Sequence, residues 1–211
     1  MSKDKQLLDK AYDRKNMHEV AALYGEWAAT YDDELKNNSY VAPQLGASVF
    51  ATYVRDLDAR ILDVGCGTGL VGHALMTHGY TNIDGLDLST EMLNQARDKG
   101  CYEQLFQADL TAVIDVADAC YDAAISVGTF THNHVGPDGI DEVLRIVKPG
   151  GIASITVNGD AYVEDGYRAK FDTLVADGIC SLVEERDEAY IIARDVRSRI
   201  MVLRKSHNAD R

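Results

Sequence analysis

The chain has 211 residues, enough for one domain with a sizeable core, and 46% of them are hydrophobic, an ordinary globular share. Lys and Arg number 21 against 34 Asp and Glu, a formal charge of −13, which argues against a protein whose main work is gripping phosphate backbones. The deficit is concentrated mid-chain, where residues 61–193 hold 22 acidic and 7 basic side chains.

The four cysteines, at 66, 101, 120 and 180, include no CxxC pair. Reduced thiols in a cytoplasmic protein are therefore expected, not a zinc or disulfide framework. The polar start and the lack of any apolar run near ~18 residues predict neither a signal peptide nor a membrane span.

Residues 1–58 read as helical. Val20, Leu23, Tyr24, Trp27 and Tyr31 recur at spacings that share one helix face. Pro43 opens a second helix, running to about Asp56. From Arg60 the pattern alternates between strand and helix. Strands are predicted at 60–64, 82–87, 104–108, 121–127 and 151–158, and helices at 70–78, from Ser89, and at 138–147. That cadence specifies a mainly parallel sheet with helices on both faces. After a helix around 167–176, residues 180–191 and 198–204 read as two strands with no crossover helix, so they must pair antiparallel. The expected fold is α/β and Rossmann-like, with seven strands, five of them parallel, and a C-terminal antiparallel hairpin.

The segment richest in chemistry is Asp63-Val-Gly65-Cys66-Gly67-Thr68-Gly69-Leu70, where a strand ends, the chain turns on alternating glycines and a helix begins. Glycines let a ligand approach the backbone, and a helix N-terminus offers N–H donors. A Walker loop is excluded because no Lys-Ser/Thr follows. A dinucleotide fingerprint stays open, since Gly67-Thr-Gly69-Leu-Val-Gly72 satisfies G-x-G-x-x-G with Asp87 as a ribose acceptor. Asp63 fits that reading poorly, because an acid two residues before Gly65 would crowd a pyrophosphate yet suit an ammonium or sulfonium.

Asp-Val-Gly-Cys-Gly-Thr-Gly resembles motif I of the class I S-adenosylmethionine-dependent methyltransferases. Gly85-Leu-Asp87-Leu88-Ser89 with Met92 is similar to their second motif, Gln107-Ala-Asp109-Leu110 to the adenine-binding segment, and Asp122 to Val127 to the fourth motif. Tyr24 to Asp32 and Leu182 to Arg186 are similar to the Williams–Beuren-region methyltransferase-like proteins. The resemblance implies an enzyme that binds S-adenosylmethionine and releases S-adenosylhomocysteine. Residues 1–58 would form a lid over a methyltransferase domain at 59–211. Asp87 would take the ribose hydroxyls, Asp109 the adenine amine (or else cap a following helix), and Asp63 would orient the loop and help hold the methionine end. Tyr31, Gly65, Cys66, Gly67, Gly69, Leu88, Met92, Leu110 and Val127 complete the expected cofactor site, with Cys66 contributing backbone, not a reactive thiol. His132 and His134 follow strand four, where ligands of open α/β sheets bind, and are the candidate proton acceptors.

The expected partner is a small-molecule methyl acceptor. Neither nucleic acid nor membrane is expected, and no metal-ligand spacing is present. Two rivals remain at this stage, an NAD-linked oxidoreductase and a non-catalytic S-adenosylmethionine-binding regulator.

Overall fold

Short apolar runs stopped by glycine build the middle of the sheet. The computed structural model describes residues 23–132 and 134–207, so Val20 of the aromatic stripe lies outside it. Strand β1 (Ile61–Val64) is buried at every position, and β2 (Ile83–Asp87) is buried up to its final aspartate. Such two-sided burial is expected of central parallel strands covered by helices. β3 (Gln104–Gln107) lies at one edge and carries polar ends, while β4 (Tyr121–Phe130) and β5 (Val147–Asn158) continue the parallel set. β6 (Cys180–Ile191) and β7 (Val196–Lys205) are joined by a single 3₁₀ turn, Ile192–Arg194.

The strand order is β3-β2-β1-β4-β5-β7-β6. Pairing is parallel from β3 through β5 and antiparallel for β5–β7 and β7–β6. The seven-stranded arrangement and its terminal hairpin are those expected from the sequence.

Helices α1 (Tyr31–Asn37) and α2 (Ala42–Tyr53) precede the sheet, with Pro43 in the first turn of α2 as anticipated. α3 (Leu70–Thr77) follows the glycine loop. α4 (Thr90–Asp98) is capped by Ser89, whose side chain accepts from the Met92 N–H. α5 (Gly139–Ile146), α6 (Gly159–Glu164) and α7 (Tyr167–Ala176) lie among the later strands. Trp27, Leu35 and Phe50 of the N-terminal segment share one core with Ile61, Ile83, Ile125 and Ile200 of the sheet. A second core covers the opposite face.

Three local features depart from the sequence reading. The aromatic stripe is not one helix: residues 23–27 are helical, residues 28–30 turn, and Tyr31 opens α1. The break follows from Thr30, whose N–H closes a tight turn on the Trp27 carbonyl and whose hydroxyl bonds Glu34. β5 begins at Val147, before the Pro149-Gly150-Gly151 stretch, because that stretch is a bulge: Tyr121 pairs with Val147, yet Ala123 pairs with Ile152. Helix α6 was not foreseen, although Asn158 carries its signal, accepting from the Asp160 and Ala161 N–H groups as an N-cap.

Among the described residues, no helix is long and apolar enough to cross a membrane, and no group of three His, Cys, Asp or Glu side chains could hold a metal ion. All four cysteines are free.

Candidate functional site

The carboxyl ends of β1, β2 and β4 open into one cleft, as the topology requires where crossovers diverge on either side of β1. Its lining includes Gly65 and Gly67 from the glycine loop, Asp87, Leu88, Ser89 and Met92 beyond β2, and Asp109 and Leu110 beyond β3. Val127, Gly128 and Thr129 from β4 and His134 and Val135 from the next loop close the other side, with Tyr24 and Tyr31 lying across it.

The glycine loop is held from behind. The Gly65 and Cys66 N–H groups both donate to the Leu86 carbonyl (2.9 and 2.8 Å), Gly69 donates to Cys66 (2.8 Å), and Gly67 donates to Asp87 Oδ2 (2.8 Å). These four donors are therefore spent within the protein. Gly65 has φ +74°, and a Cβ there would stand 2.0 Å from Thr129 Oγ1, so only glycine fits against β4. At Gly67, φ +54°, a Cβ would meet nothing within 4 Å, and the loop faces open space.

Asp87 stands between the loop and α4. Its Oδ1 accepts from Ser89 N–H (2.9 Å) while Oδ2 takes Gly67. Burial lifts this carboxyl above its ordinary value, against the pull of those backbone donors. Leu88 is steadied by Gln107 Nε2, which donates to its carbonyl (2.8 Å). Asp109 caps no helix. It closes a turn instead, accepting from the Thr111 N–H and hydroxyl (2.8 and 2.7 Å).

Three of the sequence-selected cofactor residues do not line the cleft. Asp63 is fully buried beneath the loop, where its Oδ2 accepts from the Tyr102 hydroxyl (2.6 Å). Its Oδ1 has no partner among the described residues, and burial pushes the carboxyl up to about 7. The Cys66 thiol is likewise buried with its pKa raised, which makes it unreactive packing. Gly69 forms the left-handed cap of α3.

The two histidines separate. His132 lies outside the cleft lining, and its Nδ1 pairs with Asp165 (2.7 Å). His134 lines the cleft, with Nδ1 on the His132 carbonyl (2.9 Å) and Nε2 on the Tyr24 hydroxyl (3.0 Å). A carbonyl can only accept, so Nδ1 carries the proton and Nε2 is the bare nitrogen. Burial lowers the pKa of His134, which favours that neutral form.

Residues 61–151 match a methyltransferase domain family. The chain is 34% identical over 137 residues to human methyltransferase-like protein 27, covering 64% of this chain and 56% of that one. The chain thus carries a methyltransferase domain at residues 61–151, which supports membership of the class I S-adenosylmethionine-dependent methyltransferase superfamily. It is also 28% identical over 152 residues to a malonyl-(acyl-carrier protein) O-methyltransferase of Pectobacterium atrosepticum, covering 71% of this chain and 57% of that one. This chain thus spans little more than half the length of those relatives. Among solved structures, a TehB-like methyltransferase from Corynebacterium glutamicum superposes with a TM-score of 0.63 at 19% identity, over 85% of this chain and 98% of that one.

The family's cofactor is a sulfonium with a free amino group, and the donor set suits it. The described cleft lining contains the acids Asp87 and Asp109 and neither Lys nor Arg. A dinucleotide pyrophosphate would meet the carboxylates of Asp87 and Asp109 with neither Lys nor Arg in the described lining, whereas a cation meets compensating charge. Among cleft residues that sequence reasoning passed over, Thr129 had no motif signal and Tyr24 was hidden in the packing stripe. Gly128 and Val135 follow from the cleft's geometry alone.

Proposed function

We propose that the chain transfers a methyl group from S-adenosylmethionine to a small-molecule acceptor. The observation that carries this reading is the acid-lined cleft, with neither Lys nor Arg in its described lining, beside a glycine loop that already holds Asp87 through its Gly67 N–H. Asp87 receives the ribose hydroxyls, and Asp109 faces the adenine amine. Leu88, Met92 and Leu110 supply apolar walls for the base, and Val127 continues the wall toward β4. Gly65 and Gly67 let the methionine end approach the backbone under Tyr31. Asp63, Gly69 and Cys66 support the loop from behind, and His132 with Asp165 holds the loop that carries His134. Residues 23–58 serve as the lid.

When bound, the sulfonium, held by the cleft residues named above, would supply an electrophilic methyl carbon for the acceptor's lone pair. The protein's share is alignment, which can supply about 7–11 kcal/mol of the barrier. Relatives named as acting on malonyl-(acyl-carrier protein) and on a sterol support a non-nucleic-acid acceptor.

A thermal-shift comparison tests the reading. S-adenosylhomocysteine at a hundredfold over its Kd should add about 2.7 kcal/mol of stability, and NAD should add none. Asp87→Ala should lose most of that gain. Stabilisation by NAD alone would reverse the assignment.

A further inference from the structure

The cleft has two ends. The β2–β3 side carries Asp87, Ser89, Met92 and Asp109, and the β4 side carries Thr129, His134 and Val135 under Tyr24. The second end is organised around one hydrogen-bond chain. The Tyr24 hydroxyl donates to His134 Nε2 at 3.0 Å, and His134 Nδ1–H donates to the His132 carbonyl at 2.9 Å. The rings stand edge-on, 5.5 Å apart. The loop is held on its outer side by the His132–Asp165 pair and by the Tyr167 hydroxyl, which donates to the Val135 carbonyl.

We propose that Tyr24 and His134 form the proton-accepting pair of this site, and that the methyl acceptor is an acidic neutral hydroxyl, of the phenol or enol kind, and not a carboxylate. This rests on the methyl-transfer reading above and specifies its other substrate.

The chemistry balances without any further reagent. The acceptor's O–H proton passes to Tyr24 Oη as Tyr24's own proton passes to His134 Nε2, and the oxygen lone pair forms the bond to the methyl carbon. The positive charge lost from the sulfonium reappears on the imidazolium, whose Nδ1–H keeps its carbonyl partner. A carboxylate is already a nucleophile and would give this pair nothing to do. It would also enter a cleft whose described lining has Asp87 and Asp109 but no Lys or Arg to receive it. An aliphatic alcohol is a far weaker acid than a phenol, so a neutral imidazole relayed through Tyr24 can take a phenolic proton far more readily. The Tyr24, Tyr31, Val127 and Val135 walls offer an aromatic ring apolar and edge contacts.

Several described groups bear on the titration. Tyr24 faces His134 from the 23–27 segment, Tyr31 stands beside Tyr24 with ring centroids 6.0 Å apart, and Asp87 and Asp109 lie across the cleft. Asp165 acts from outside through His132.

The test has one arm that needs no turnover. Imidazole nitrogen NMR of the whole protein should show His134 as the Nδ1–H tautomer at pH 8, with Nε2 protonating only below about 6.5. An Nε2–H tautomer at that pH overturns the proposal. In the second arm, the protein receives S-adenosylmethionine with a phenol, a primary amine, a thiol or a carboxylate, and products are weighed by mass spectrometry. Methylation of the phenol is expected, with an acidic limb in kcat. His134→Gln should abolish that limb and cost about 10²-fold in kcat, with KM and S-adenosylhomocysteine affinity by calorimetry changing less than about threefold. Tyr24→Phe should lower kcat in the same direction. Carboxylate, thiol or amine turnover in preference to the phenol, or turnover independent of His134, overturns the assignment. Failure of the wild-type protein to bind S-adenosylhomocysteine would instead overturn the methyl-transfer reading, which separates the two failures.

Discussion

Burial leaves Asp63 with a carboxyl pushed up to about 7, with the Tyr102 hydroxyl pulling the other way. An unfolded-chain aspartate titrates near ~3.9. Between those two values the folded protein holds a proton that the unfolded chain has released, so stability falls as pH rises through the window and levels off above it. Asp63→Asn keeps an acceptor for Tyr102 and removes the titration. The stability difference between wild type and variant should therefore shift in the variant's favour by up to about 4 kcal/mol from pH 4 to pH 8. Urea denaturation at the two pH values measures it, and a gap independent of pH would mean that Asp63 is ionised in the folded state. The residue's buried position also reshapes its functional meaning. Adjacency in the motif made Asp63 look like a ligand, yet side chains alternate along β1, and this one points beneath the loop toward Tyr102, away from the cleft.

At the scale of elements, the N-terminal helices are fastened to the glycine loop by one polar clasp. Thr68 Oγ1 donates to Asp32 Oδ1 at 2.5 Å, and Lys99 Nζ bridges Asp32 Oδ2 and the Thr68 carbonyl, each at 2.6 Å. The clasp ties α1 to the turn entering α3 and to the end of α4. Asp32 is partly solvated, so the ion pair contributes about 0.5–1 kcal/mol and weakens with salt. Lys99→Met should raise the Kd for S-adenosylhomocysteine by about two- to fivefold at low salt. Titration at 0.05 and 0.5 M salt checks this, and equal affinity at both for wild type and variant would mean that the clasp does not govern closure. None of it was legible in the sequence, because residues 32, 68 and 99 belong to three elements with no shared motif. The parallel set of strands, its antiparallel terminal hairpin and the helix beginning at Ser89 were legible, since each is written in local pattern, in periodicity punctuated by glycine or in a hydroxyl just before a helix. The break at residues 28–30 and the bulge after Val147 were not, because both depend on how the chain packs, and the apolar spacing looks the same with or without them.

The whole molecule is joined by its core more than by its charge. The −13 formal charge reaches the described cleft lining through only two acids, Asp87 and Asp109. Its functional content reduces to Asp87 and Asp109 in the cleft, with Asp63 beneath. Residues 23–58, by contrast, bury Trp27, Leu35 and Phe50 in the same core as Ile61, Ile125 and Ile200 of the sheet. Segments that share a core of this kind should unfold together and not as two units. Trp27 is the chain's single tryptophan and is 1% exposed, its ring 4.6 Å from that of Tyr31 at the cleft. Its fluorescence therefore reports on the N-terminal helices, while far-UV circular dichroism reports on the sheet and the remaining helices. The two melting curves should coincide. Saturation with S-adenosylhomocysteine at a hundredfold over its Kd should move both by the same ~5–10 °C. A Trp27 transition that precedes the far-UV transition, or that shifts alone on adding the ligand, would mean that the helices before residue 59 form a separately folding cover whose contact with the sheet is made by the ligand and not by the core.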